Sequence, residues 1–74
     1  MKRSDRIRQT LEHERPAKAV GLLNQHSVEE LEPIMEERFR VIILGLAPSK
    51  KRTRLLLAAQ KNTAQIEAMF QKTI

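Results

Sequence analysis

The residues with the most pronounced chemistry are four cations, Lys50, Lys51, Arg52 and Arg54, crowded where a helix is expected to begin. Backbone N–H groups at a helix start attract anions, and the hydroxyls of Ser49 and Thr53 fall in the same turn. Cations placed there oppose the helix dipole, at a cost of about 0.3–1 kcal/mol each when exposed. An arrangement that costs stability points to a partner, either the phosphate backbone of a nucleic acid or an acidic protein surface. Arg38 and Arg40 are expected at the same end and would assist; Lys2, Arg3, Arg6 and Arg8 are either a phosphate-contacting arm that assists too or, in the favoured reading, a soluble tail. The alternative for the cluster is a solvated, solubilising loop.

Other chemistry is sparse. There is no cysteine, which excludes disulfides and thiolate metal sites. His13 lies between Glu12 and Glu14, and His26 directly precedes Ser27. Neither histidine has a histidine or Glu-x-x-His mate at helical spacing, and no Gly-rich phosphate loop is present. With no nucleophile, base and orienting group that could converge, neither catalysis nor a metal, a cofactor or a small-molecule substrate is expected. Only Phe39 and Phe70 are aromatic, too few for a platform on which single-stranded bases stack.

These side chains must be positioned by helices. At 74 residues the chain is expected to form one domain, near the lower size limit for a self-sufficient core. Ser4 or Asp5 can cap a first helix with Ile7 and Leu11 one turn apart, ended by Pro16. Pro16 suits the first position of a second short helix running to about Asn24, with Gly21 inside it. Ser27-Val28-Glu29-Glu30 is a capping box. Pro33 then either breaks a one-turn helix or restarts a longer one through Met35, Phe39, Ile42 or Ile43 and Leu46, closed by Gly45 and Pro48. Ser49 caps a last helix to about Lys72, with Leu55, Ala59, Asn62, Ile66, Met69 and Phe70 on one face.

The resulting expectation is an all-α fold, a small bundle of three to four helices whose last two form an antiparallel helical hairpin, with ends frayed at 1–3 and 73–74. In such a hairpin the acidic block Glu29, Glu30, Glu32, Glu36 and Glu37 lies at the open end near Lys72, away from the cations. A strand over Arg38 to Leu44 is the rival for that segment, since it is β-branched and partly alternating. A helix-turn-helix over Ala17 to Met35 fits in scale, but its second helix begins Val28-Glu29-Glu30, which a DNA groove would repel.

Val41 to Leu46 and Leu55 to Ala59 are apolar on every face of a helix, and such segments are buried all round. Two short helices cannot cover both sides, so an interface is expected at Val41, Ile42, Leu46, Leu55 and Leu56, most simply in a symmetric homodimer. The longest apolar run, Val41 to Ala47, is seven residues, far short of the roughly 20 that span a bilayer. A cytoplasmic protein without membrane contact is therefore expected. Fourteen Lys and Arg against nine Asp and Glu give a net charge of +5. Two functions follow. In the first, a regulatory protein binds nucleic acid through phosphate contacts. In the alternative, an adaptor or inhibitor docks an apolar helical face on another protein.

Overall fold

The computed structural model describes residues 3–72, and within them the chain is all α-helix, short 3₁₀ turns and connecting loops. Lys2, and the ends expected at positions 1, 2, 73 and 74 to fray, lie outside the described residues; Arg3 opens the first helix. The elements are α1 (Arg3–His13), α2 (Pro16–Gln25), the one-turn α3 (Val28–Leu31), 3₁₀ turns at Glu32–Ile34 and Glu37–Phe39, the one-turn α4 (Arg40–Ile43), and α5 (Lys50–Lys72).

Several local signals act where expected, but Ser4 and Asp5 do not precede the first helix as its cap, since α1 already begins at Arg3. Pro16 occupies the start of α2. The capping box forms, with the Glu30 amide donating to Ser27 Oγ at 3.3 Å and the Ser27 amide donating to Glu30 Oε1 at 3.2 Å. Ser49 caps α5 by accepting from the Arg52 amide at 3.2 Å.

The segment between Ser27 and Pro48 departs from expectation. It is neither a strand nor one long helix, so α5 has no continuous helical partner and the expected hairpin of two helices gives way to a broken chain laid across α5. Pro33 cannot donate an amide hydrogen and stops α3 after one turn. Met35 and Glu36 are then extended, at ψ 139° and 160°. The backbone groups released by this break find partners on α5. Asn62 Nδ2 donates to the carbonyls of Glu32 and Met35, each at 2.8 Å, and Thr63 Oγ1 accepts from the Glu37 amide at 2.9 Å.

The core is a single cluster drawn from every helix: Ile7 and Leu11 of α1, Ala19 and Leu23 of α2, Leu31, Ile34, Met35 and Phe39 of the broken segment, Ile42 and Ile43 of α4, Leu46, and Leu55 and Ala59 of α5. No polar or charged residue among those described is fully buried.

The two glycines have different reasons to be there. Neither has a positive φ, so Gly45 is not the left-handed helix stop that its place after α4 implied. Instead α4 and α2 approach so closely that a Cβ on Gly45 would stand 2.6 Å from Val20 Cγ2. At Gly21 nothing lies within 4 Å of such a Cβ. Gly45→Ala is therefore expected to lose about 1–3 kcal/mol by overpacking, and Gly21→Ala, inside α2, to gain about 0.5–1 kcal/mol. Thermal melts of the two variants should move in opposite directions; equal shifts would remove the packing argument for Gly45.

Candidate interaction surfaces

The sequence singles out six cations for phosphate contacts, and the fold gives five of them work inside the molecule. Lys51 Nζ donates to the carbonyls of Leu23 and His26 at 2.6 Å each, closing the end of α2 where carbonyls lack helical partners. Arg52 Nη1 reaches the Leu46 carbonyl at 3.5 Å. Arg54 is held by Glu32 at 2.8 Å and Glu29 at 3.7 Å. Arg38 pairs with Glu12 and Glu36 and lies 4.7 Å above the Phe39 ring. Arg40 faces Glu37 at 3.7 Å. Lys50 alone among the six is exposed with no internal contact described.

The acidic block is consequently not at the far end of a hairpin. The break after α3 lays Glu29 and Glu32 beside the first turns of α5, where their charge neutralises Arg54 instead of approaching Lys72. Burial of the Arg38 guanidinium works against its charge, but hydrogen bonds and the fields of Glu36 and Glu12 outweigh it and raise its pKa. The cation therefore stays charged at any pH the fold survives.

The residues expected at a dimer interface divide. Ile42, Leu46 and Leu55 are buried by the chain itself, at 9%, 5% and 0% exposure. Leu56 is half-buried, and only Val41 is open, at 73%. Three of the five thus belong to the core of one chain. The apolar runs are longer than a helix face, and the residues beyond that face stay uncovered: Leu44 and Leu57 are exposed along with Val41, at 51% and 62%.

The apolar face expected along the last helix is covered over only part of its length. The α5 stripe begins covered at Leu55, Ala59 and Asn62, but the body ends at Thr63. Every residue from Ala64 to Gln71 is exposed, including Ile66 at 41%, Met69 at 70% and Phe70 at 71%. The distal part of α5 stands off the body as a helical stub of nine residues, about 13 Å long at 1.5 Å per residue.

His13 is exposed, and His26 is half-buried, with Nδ1 enclosed and lacking a hydrogen bond, 3.6 Å from Glu30 Oε2. Among the described residues no three of the His, Cys, Asp and Glu side chains could hold a metal ion. None of the helices described is long and apolar enough to cross a membrane. A scan against protein-family models finds no match to this chain, and comparisons with curated proteins and with solved structures find none either.

Proposed function

We propose that this chain is a protein-docking module that engages another protein surface through the apolar side of the distal half of α5. One observation carries the reading: a stripe continuous with the core, Leu55–Ala59–Asn62, runs on past the body into Ile66 and Met69, which stand in solvent. Soluble domains seldom leave large apolar side chains aligned on a projecting helix unless something covers them. An amphipathic helix of this kind is the element that groove-type and helix-pairing recognition use.

Nucleic-acid binding is the second reading, supported by the +5 charge and by exposed Lys50 at the start of α5. It ranks below docking because the other five cations already have internal partners. Exposed ion pairs are worth only about 0–1 kcal/mol, so phosphates could still compete for Arg54 or Arg40, but Lys51 would have to abandon two carbonyls.

One experiment separates the two. A photo-crosslinking residue is placed at Met69 in one version of the protein and at Lys50 in another, each expressed in cells and irradiated. Docking predicts discrete protein adducts from position 69 that disappear with Ile66→Glu. Nuclease-sensitive adducts from position 50, with none from 69, would reverse the ranking.

A further inference from the structure

We infer that the surface covering the α5 stub is a second copy of the same stub, packed antiparallel across a two-fold axis that passes near Met69. This rests on the docking reading and supplies its partner.

Three features of the stub favour its own copy. The first is charge. The whole chain is 31% charged, yet the nine residues Ala64 to Lys72 hold two charged residues of opposite sign, Glu67 and, at the stub's end, Lys72, and so carry no net charge. At 100° per residue Glu67 lies well to one side of the stripe through Ile66 and Met69. A charged partner surface would find nothing on the stripe to match it, whereas a neutral copy meets no repulsion. Interface cores are depleted of charge and enriched in Met and Phe, as this segment is.

The second is the polar flank. Gln65 flanks the stripe, and its amide both donates and accepts. An amide flank is complementary to itself, while a flank of lysines or glutamates requires its opposite.

The third is shape, and it fixes direction. The body of the molecule sits on the same face of α5 that the stub continues, since Leu55, Ala59 and Asn62 are the residues it covers. Two stubs pairing in parallel would bring both bodies to the same level between the same two helices, where they would collide. Antiparallel pairing places the bodies at opposite ends. Each helix tip then runs up to the partner's body where Thr63 accepts the Glu37 amide, and that stop sets the register. With overlap running from Ala64 to Lys72, Ile66 faces Phe70 of the other copy and Met69 lies beside the axis.

The contact is small. Ile66 is only 41% exposed and Met69 70%, so the total buried falls below about 1,200 Å², in the range of weak, transient contacts. The dimer therefore forms and dissociates with concentration.

Sedimentation equilibrium of the purified chain from about 5 to 500 µM tests this, together with a single cysteine introduced into a protein that has none. The apparent mass should rise toward twice that of one chain, and Met69→Glu should hold it at one chain with the helical circular dichroism unchanged. Under mild oxidation Met69→Cys should crosslink at least tenfold more than Gln60→Cys, which lies on the opposite side of α5. A monomer throughout the range would overturn self-pairing, while photo-adducts from position 69 to a different protein would keep docking alive. A dimer unaffected by Met69→Glu would place the contact elsewhere and overturn the proposal. Absence of both self-association and adducts from position 69 would remove the docking reading as well.

Discussion

Leu55→Ala should unfold much of the population at temperatures where the native chain is folded, and the gap between its melting temperature and that of the native chain should be the same at every protein concentration. Leu55 has no exposed surface and packs among the side chains of the single core. Truncating such a leucine costs roughly 3–5 kcal/mol, the lost transfer energy plus that of the cavity left behind. A domain of this size has about 4–11 kcal/mol in all, so the melting temperature should fall by more than about 12 °C. Were Leu55 part of a dimer contact, as its apolar run invited one to expect, the loss would shrink as concentration rises. Thermal melts at two concentrations a hundredfold apart distinguish the cases, and a concentration-dependent loss would return Leu55 to an interface.

Lys51→Met should be the costliest change among the exposed and half-exposed cations. The substitution keeps the stem and removes the ammonium that two carbonyls of the α2 end share. Charge-assisted hydrogen bonds contribute about 1.5–3 kcal/mol each. Lys51 is half-buried, so water can reach part of the vacated space, and the combined loss should be near 2–3 kcal/mol rather than the full sum. Lys50→Met, one residue away and without an internal partner, should stay within about 0.5 kcal/mol of the native chain. Urea midpoints of the two variants test the contrast; coincident midpoints would mean the ammonium contributes nothing to closing α2. A practical corollary concerns nucleic-acid assays. Reversing the whole Lys50 to Arg54 cluster would damage the fold along with any phosphate contact, so only Lys50 is a clean probe.

What the sequence disclosed followed the range of each interaction. The Ser27 box, Pro16 and Ser49 act within three or four residues, and the fold uses all of them as expected. Ile7 and Leu11, one turn apart, are both in the core. The break at Pro33 was readable as one of two outcomes, but the extended backbone at Met35 and Glu36 was not. Its stability depends on Asn62 and Thr63, nearly thirty residues on, and the only local clue was an asparagine in an apolar stripe. The surface chemistry was misplaced for the same reason. Whether Arg54 meets a phosphate or a glutamate is decided by the path of the chain after Leu31, and no spacing rule within α5 contains that path. The exposed stub was hidden because a stripe reads alike whether the body covers all of it or half.

The clasp formed by Asn62 and Thr63 also implies an order of assembly. The 3₁₀ turns and extended residues between Leu31 and Phe39 have few backbone hydrogen bonds of their own, and the clasp joins positions 26 to 30 residues apart. Closing that loop costs chain entropy before any contact returns it. Helix α5, by contrast, can form from local interactions, with its own cap and helix-favouring alanines. The long helix therefore acts as the template, and the middle of the chain takes its irregular shape only once it has α5 to lie on. In the native state residues 32–39 carry Ile34, Met35 and Phe39 into the core, so releasing the clasp exposes core side chains, and the segment opens together with the body rather than ahead of it.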